Sequence, residues 1–194
     1  MKRRHWIILD RLVPVILEHV EGCIVDIGIG VSTETLYDYS RQFNREHYSC
    51  DISKRMYNWV RKSFTGIKPF CGKSIDFMKT FPDIPVAVAF IDGEHHYPTI
   101  TEEVNFFLPK LSLGGVMFIH DTLPTKWRHV YGYISEKPGR TFGRYMEVTG
   151  DSYLIRQELE RREDLMTFTW PYTAANYGLT MVMKKDMNAP KFRR

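Results

Sequence analysis

The sequence predicts an α/β protein built on a mostly parallel β-sheet. Short runs of apolar and β-branched residues alternate along the chain with stretches of helical periodicity. Two of the runs, residues 86–91 and 116–120, are almost entirely apolar, which is typical of strands covered by helices on both faces. Because strands and helices alternate, we expect parallel strands with helices on both sides of the sheet.

Five strands are predicted in the first two thirds of the chain. They share an apolar or β-branched composition and end at turn residues, and they comprise residues 23–27, 47–50, 67–71, 86–91 and 116–120. Pro69 interrupts the third run. This suits a strand at the edge of the sheet, since proline cannot donate a ladder hydrogen bond.

Helices are predicted between the strands. The opening helix contains Pro14, which is expected to kink or restart it. Ser32–Glu34 and Ser53 can cap two of the others, and Ser74 or Asp76 can cap a helix that starts at residues 72–76. The expected helices cover residues 5–20, 32–41, 53–62, 98–111 and 152–163.

The last third of the chain begins with an irregular segment. Residues 122–150 lack clear periodicity and are rich in Gly, Tyr and basic residues, so we expect a lid-like insertion at the sheet's active edge. Residues 165–170 and 179–183 are predicted to close the sheet as an antiparallel hairpin. The chain has 194 residues and no shift in composition, which favours a single domain over residues 1–194.

Composition and charge narrow the class of function. The 27 Lys and Arg against 23 Asp and Glu give a net charge of +4, which is too weak to indicate a nucleic-acid partner. Three cysteines, Cys23, Cys50 and Cys71, are too few for a disulfide framework, so we expect reduced thiols in a cytoplasmic protein. No run reaches the roughly 18 apolar residues of a membrane span, and no signal peptide is expected.

The chemistry is expected at the carboxyl ends of the strands, where open α/β sheets bind their ligands. The first strand ends in D-I-G-I-G at residues 26–30, and its glycines allow a sharp turn and close approach of a ligand to a helix N-terminus. A dinucleotide fingerprint is not met, because Thr33 stands where the third glycine should be. An ordinary strand–turn–helix connection remains the alternative for this turn.

Two further strand ends carry polar residues suited to a nucleoside. Asp51 follows Gly30 by 21 residues and can accept two hydrogen bonds from a ribose diol, although it could instead favour the dipole of the next helix. Ser74 and Asp76 could meet an adenine edge or cap the helix that they begin. Three successive strand ends thus carry nucleoside-compatible groups, which is more informative than any one of them.

Two longer motifs carry a resemblance to a known family. Residues 90–97 read F-I-D-G-E-H-H-Y, and residues 108–121 read L-P-K-L-S-L-G-G-V-M-F-I-H-D. With the features above, they resemble a branch of small class I S-adenosylmethionine-dependent methyltransferases, with Leu113 in place of the usual proline. The resemblance covers residues 20–121 well and 150–184 by element order only. It implies a Rossmann-like fold with a seven-stranded sheet in the order 3-2-1-4-5-7-6.

The resemblance also implies a role for each matching residue. The residues expected to bind S-adenosylmethionine are Asp26, Gly28, Gly30, Ser32, Asp51, Ile52, Ser74, Ile75, Asp76 and Asp92. Asp26 and the glycines would line the methionine part, and Asp51 would hold the ribose. Asp92 would lie at the reactive end. Ser32 stands where many members keep a third glycine.

Methyl transfer to a hydroxyl requires alignment of the acceptor and removal of a proton. Side chains at the ends of two adjacent strands could supply the base, and these candidates are His95, His120 and Asp121. In the resembling O-methyltransferases several groups bind a divalent cation at these strand ends, which here implies Asp92 and Asp121. The imidazole of His120 favours a transition metal over Mg²⁺. Capping and local hydrogen bonds are the alternative roles.

The predicted function is transfer of a methyl group from S-adenosylmethionine to a small-molecule hydroxyl. The basic and aromatic side chains of residues 122–150 suit an anionic or sugar-like acceptor. A contact within a homo-oligomer and an ordinary surface loop are the other interpretations of that segment. A Rossmann-type oxidoreductase and a non-catalytic cofactor-binding protein of the same fold are the competing functions.

Overall fold

In the computed structural model of this chain, residues 6–123, 152–170 and 178–186 can be described. These ranges contain six helices and seven strands. The helices are α1 (Trp6–His19), α2 (Val31–Gln42), α3 (Lys54–Ser63), α4 (Ser74–Thr80), α5 (Tyr97–Lys110) and α6 (Ser152–Glu160). The strands are β1 (Cys23–Ile27), β2 (His47–Asp51), β3 (Ile67–Cys71), β4 (Val86–Ile91), β5 (Leu111–His120), β6 (Leu165–Trp170) and β7 (Leu179–Lys184).

The strands form one sheet in the order β3-β2-β1-β4-β5-β7-β6. β1 to β5 pair in parallel, whereas β7 lies antiparallel to β5 and β6 lies antiparallel to β7. This confirms the predicted strand order, the closing hairpin and the position of β3, with Pro69, at an edge. The carboxyl ends of β1 to β5 therefore lie along one edge of the sheet.

The core lies on both faces of the central strands. Successive residues of a strand point to opposite faces, so Val25, Ala89 and Met117, which are aligned across β1, β4 and β5, pack on one face with α4, α5 and α6. Ile24 and Val88 are aligned on the other face and pack against α1 and α2. Every residue of β4 is buried, which explains its unbroken apolar sequence.

The opening helix continues through Pro14 and does not restart there. Proline lacks the N–H that would bond to the carbonyl four residues earlier, which is that of Asp10. The hydroxyl of Tyr39 on α2 donates to that carbonyl oxygen at 3.1 Å. Of the two expected effects of Pro14, a kink or a restart, the restart was wrong, because a neighbouring helix supplies a donor for the freed carbonyl.

Two helix starts also differ from the prediction. Gly30, rather than Ser32–Glu34, is the N-cap of α2, and Ser32 is buried inside its first turn. Lys73 is the N-cap of α4, with no side-chain cap, so neither Ser74 nor Asp76 caps that helix. The Ser53 cap of α3 is confirmed, since its hydroxyl accepts a hydrogen bond from the Met56 N–H at 3.4 Å.

The final helix is tied to the end of β5. The Ser152 hydroxyl donates to the carbonyl of Asp121 at 2.6 Å, and Arg156 Nε donates to the carbonyl of Thr122 at 3.1 Å. The helix ends at Glu160, three residues earlier than predicted, and β5 begins at Leu111, five residues earlier than predicted. Of the predicted insertion at 122–150, residues 124–150 lie outside the described ranges.

Cys23, Cys50 and Cys71 are all free thiols. Among the described residues, no helix combines the length and apolar character needed to cross a bilayer.

His47, at the start of β2, is a buried histidine whose effect on stability should depend on pH. Its side chain is buried and neither ring nitrogen has a hydrogen-bond partner among the described residues. Burial lowers its pKa from about 6.5 to about 3. The imidazole is therefore neutral in the folded protein, whereas the unfolded chain takes up a proton below about pH 6.5. This residue costs stability as the pH falls from 6.5 towards 3.

We predict that His47→Leu removes this pH-dependent loss. Between pH 7.5 and pH 5 the variant should gain about 2 kcal/mol in free energy of unfolding relative to the parent protein. Urea unfolding at both pH values measures the difference, and the parent serves as its own control above pH 7.5, where the imidazole is neutral in both states. A difference in stability between the two proteins that does not change with pH would contradict the prediction.

Candidate functional site

A cavity of about 610 Å³ opens at the carboxyl edge of the sheet. Its wall is formed by the segments that follow four neighbouring strands, with two residues added from α5. These are residues 27–30, 50–52, 72–75 and 92–94, together with Thr99 and Glu103. The cavity thus occupies the place where the sequence predicts a ligand.

The turn after β1 is packed directly against the end of β4. Gly28 has a φ of +90°, and a Cβ on it would lie 2.0 Å from the carbonyl oxygen of Asp92. The Asp92 N–H donates to the carbonyl of Ile27 at 2.8 Å, and the Gly28 N–H donates to that of Cys50 at 2.9 Å. Only glycine fits at position 28. Gly30, by contrast, has no atom within 4 Å of a Cβ and leaves open space beside the turn.

Asp26 supports this turn from below. Its fully buried carboxylate accepts a hydrogen bond from the Thr33 hydroxyl at 2.5 Å, and that hydroxyl in turn accepts one from the Gly30 N–H at 3.0 Å. Burial, reinforced by the nearby carboxylates of Asp92 and Asp51, raises the pKa of Asp26 to about 8. Asp26 and Ser32 are buried behind the cavity wall and do not form part of it.

Asp51 is held on the wall by two backbone groups. Its Oδ2 accepts a hydrogen bond from the Ile29 N–H at 2.9 Å, and its Oδ1 accepts one from the Ser53 N–H at 2.6 Å. An ionised carboxylate has about four lone-pair sites, so acceptor capacity remains for a ligand. The side chain is thus oriented in advance for a pair of hydroxyl donors.

The predicted adenine residues divide into two groups. Ile52, Ser74 and Ile75 lie on the wall, and Ile52 presents an apolar side chain that is 72% exposed. Asp76 lies outside the wall and is exposed. It is ion-paired with Lys79 at 2.7 Å, which holds its pKa below the ordinary value.

The ends of β4 and β5 bring together Asp92, His95, His120 and Asp121, which we call the acid–histidine cluster. His120 Nδ1 lies 3.1 Å from an oxygen of each carboxylate. His95 Nε2 lies 3.4 Å from Asp92 Oδ1, and its Nδ1 lies 3.9 Å from Asp121 Oδ2. The predicted catalytic residues therefore do meet, with Asp92 joining the two strand ends.

Opposite charges within the cluster outweigh the effect of burial. Burial alone would lower the pKa of His120, but the two carboxylates raise it to about 10. The pKa of His95 is also raised, against burial, by Asp92 and Asp121. Burial would raise the pKa of Asp92, yet His120 and His95 bring it well below the ordinary value. The ionised carboxylate of Asp92 and the protonated forms of the two histidines thus stabilise one another.

Asp121 adopts an unusual backbone conformation. Its φ is +56°, in the left-handed region that costs energy for residues other than glycine. The Ser152 hydroxyl holds its carbonyl from α6. A strained residue at the end of a strand, beside two histidines, is typical of a functional site.

The same cluster can be tested as a metal site. Asp92, His95 and Asp121 each offer one ligand atom, and these three atoms lie within 4.8 Å of one another. This mixed set of carboxylate oxygens and an imidazole nitrogen fits a divalent transition metal better than Mg²⁺, which prefers oxygen alone. Asp92 and Asp121 are the predicted ligands, and His95 is the third group that the structure adds.

Glu103 on α5 is a wall residue that the sequence reasoning missed. It is fully buried and burial raises its pKa to about 7, while the Ser74 hydroxyl opposes that shift. A signal was present in the sequence, because Glu103 falls on the apolar stripe formed by Ile100, Val104 and Phe107. A carboxyl group on such a stripe is unusual and marks a position to inspect.

Comparisons with known proteins agree with this architecture. The profile of a family described as "Methyltransferase domain" matches residues 25–122. No curated protein matches the chain by sequence.

Several solved structures share the fold at low sequence identity. Cofactor-bound Rv0187 from MTB is 12% identical, with a TM-score of 0.71, and the match covers 95% of this chain and 81% of that one. The Bacillus cereus O-methyltransferase in complex with SAH is 14% identical, with a TM-score of 0.67 and coverages of 95% and 82%. TomG from Streptomyces achromogenes, an O-methyltransferase of tomaymycin synthesis in complex with SAM, is 15% identical, with a TM-score of 0.66 and coverages of 95% and 81%.

We predict that Gly28→Ala destabilises the protein by at least ~3 kcal/mol, because the new methyl group meets the Asp92 carbonyl and the positive φ becomes strained. Gly30→Ala is the matched control, since its methyl group would meet nothing within 4 Å. Thermal and urea unfolding of both variants measures the contrast. Equal stability of the two variants would show that the β1 and β4 ends do not meet as described.

Proposed function

We propose that this chain, which belongs to the methyltransferase domain family, transfers a methyl group from S-adenosylmethionine to a hydroxyl oxygen of a small molecule. The observation that carries the proposal is the cavity at the carboxyl edge, with the Gly28–Gly30 turn and the Asp51 carboxylate in one wall. Such a turn lets a ligand approach the backbone, and a fixed carboxylate suits a ribose diol.

The cavity suggests how the cofactor would lie. Gly28 and Gly30 would contact its methionine part, and the carboxylate of Asp51 would accept hydrogen bonds from both ribose hydroxyls. The adenine would lie against Ile52, Ser74 and Ile75, and Asp92 would face the sulfur. Asp26 and Ser32 are not part of the cavity wall and would act indirectly, by stabilising the Gly28–Gly30 turn. Asp76 could contact the adenine, as predicted, only if its ion pair with Lys79 were broken.

The cofactor supplies a methyl group on a positively charged sulfur, and the protein's part is to orient and deprotonate the acceptor. Alignment in a site that excludes water can contribute several kcal/mol. We assign proton removal to the acid–histidine cluster, in which His95, His120 and Asp121 lie at the β4 and β5 ends. Because the carboxylates raise the pKa of both histidines, an imidazole must release its own proton before it can accept one from the substrate hydroxyl. Asp92 would connect this cluster with the cofactor.

A divalent cation is the second way to activate the acceptor. Asp92 and Asp121, with His95, would hold it. A cation there would lower the pKa of a bound hydroxyl, so that His120 need not take the proton. The Mg and SAH complex of the methyltransferase MycE, which is 14% identical with a TM-score of 0.61, is a fold relative crystallised with such an ion.

The competing functions are less well supported. The family match favours a methyltransferase over a Rossmann-type oxidoreductase. Thr33 occupies the position of the third glycine in the dinucleotide fingerprint. Its hydroxyl accepts a hydrogen bond from the Gly30 N–H and donates one to Asp26, so it stabilises the turn. A non-catalytic cofactor-binding protein would keep the cavity but not need the acid–histidine cluster.

Several finer points belong to the same proposal. Hydroxyl acceptors are supported by O-methyltransferases among the fold relatives. An anionic or sugar-like acceptor rests on the basic and aromatic residues of 122–150. We also propose that residues 1–194 form a single domain and that the protein is cytoplasmic, in keeping with its free cysteines. The alternative role of residues 122–150 is a contact within a homo-oligomer.

The purified full chain should bind S-adenosylhomocysteine saturably, and Asp51→Ala should weaken this binding by about 10- to 100-fold through loss of two hydrogen bonds to a charged acceptor. Isothermal titration calorimetry measures both affinities. Asp83→Ala is the matched control, since Asp83 is exposed and pairs with Lys110 away from the cavity. Absence of saturable binding by the folded parent protein would refute the proposed function.

His95→Gln should lower kcat by about 10²- to 10⁴-fold, because a glutamine cannot accept the proton or replace the imidazole as a ligand. Its affinity for S-adenosylhomocysteine should stay within about twofold. The assay measures release of S-adenosylhomocysteine in the presence of a panel of hydroxylated small molecules, with His19→Gln, 71% exposed on α1, as control.

Two results separate the roles in that assay. Activity that is lost on chelation and restored by Mn²⁺ assigns His95 to a cation site, whereas activity indifferent to chelators assigns it to proton removal. An unchanged kcat in His95→Gln would contradict both roles and favour a different base or a non-catalytic protein.

A further inference from the structure

Glu103 is a buried acid that the proposed reaction does not yet use. It lies on α5, it is 0% exposed, and it forms part of the cavity wall together with Ser74, Ile75 and Thr99. The Ser74 hydroxyl is the neighbouring donor that opposes the rise in the pKa of Glu103, and no other hydrogen bond from the described residues reaches its carboxylate oxygens. The Ser74 hydroxyl supplies at most one hydrogen bond, whereas a carboxylate has about four lone-pair sites, so acceptor capacity remains for a donor that the ligand brings.

Gly93 keeps the approach to Glu103 free of a side chain. A Cβ at position 93 would lie 3.9 Å from Glu103 Oε1 and 3.0 Å from Ile27 Cγ2. Gly93 itself is on the cavity wall. A side chain at position 93 would therefore press against Ile27 and approach the carboxyl group of Glu103.

The chemistry of the proposed cofactor identifies the donor. S-adenosylmethionine carries three kinds of hydrogen-bond donor, namely the amino group of its methionine part, the ribose hydroxyls and the exocyclic amino group of adenine. The first belongs with the Gly28–Gly30 turn and the second with Asp51. Asp76, a predicted partner of the adenine, is exposed and paired with Lys79 outside the wall, whereas Glu103 is a carboxyl group on the wall beside Ser74, another of the predicted adenine residues.

We propose that the Glu103 carboxyl group accepts a hydrogen bond from the exocyclic amino group of the cofactor's adenine and so selects adenine over other purines. The inference rests on the proposed function, since it places S-adenosylmethionine in this cavity. Glu103 on α5 would thus recognise the adenine, a role that the sequence suggests for Ser74 and Asp76 at the start of α4. Glu103 is then a specificity-determining residue that touches the cofactor far from the transferred methyl group.

The test compares two ligands that differ at one group. S-adenosylhomocysteine carries the amino group, whereas S-inosylhomocysteine carries a carbonyl oxygen at that position. The titrations are made at pH 8.5, above the pKa of about 7 of Glu103, so that the ionised carboxylate repels this oxygen. The full-length parent protein should bind the adenosyl ligand about 10- to 100-fold more tightly in calorimetric titration. Equal affinities for the two ligands would overturn the inference without any variant.

The variants then assign the preference to Glu103. Glu103→Gln should reduce the ratio of the two affinities by about tenfold, because its amide can rotate to donate to the inosine oxygen. Glu103→Asp, which keeps the charge but retracts it by one methylene, should reduce the ratio as well. Glu102→Gln, an exposed neighbour on the same helix, is the matched control and should keep the ratio of the parent.

The outcomes also separate this inference from the proposed function. A parent protein that binds neither ligand refutes both. A parent protein that prefers the adenosyl ligand, with the preference unchanged in folded Glu103→Gln or Glu103→Asp, leaves the proposed function standing and overturns the role of Glu103.

Discussion

The close approach of the β1 and β4 ends is the constraint on which the site depends. Gly28 passes so near the carbonyl of Asp92 that no side chain fits between them, and the Asp92 N–H bonds to the carbonyl of Ile27. This contact places the glycine turn and the start of the acid–histidine cluster on one wall. Asp51 completes that wall through its hydrogen bond from the Ile29 N–H. Asp92 therefore belongs both to the cavity wall and to the acid–histidine cluster, whose other members lie outside that wall.

The acid–histidine cluster shows how charge is kept inside the protein. Two carboxylates lie within ion-pairing distance of two imidazoles, and these opposite charges raise the pKa of both histidines against the effect of burial. The strained backbone of Asp121 is held by Ser152, a residue 31 positions later in the chain. The two roles proposed for this cluster, proton removal and cation binding, would both use imidazole nitrogens that lie beside carboxylate oxygens.

Much of the fold follows from local patterns in the sequence, whereas the finer features depend on contacts between distant residues. Apolar runs and turn residues predict the strands, and parallel topology brings their polar ends together. Pro14 is tolerated because Tyr39 meets the freed carbonyl, which no local pattern reveals. Ser32 looks like a cap but is buried, and Gly30 takes that place. Glu103 was missed because its burial depends on how α5 packs beside the cavity.

A crystal structure of the protein with S-adenosylhomocysteine tests the central claim most directly. The account predicts electron density for the ligand in the cavity, with both ribose hydroxyls within hydrogen-bond distance of the Asp51 carboxylate and the sulfur facing Asp92. A ligand bound elsewhere, or a cavity closed by the protein's own side chains with Asp51 turned away, would contradict it.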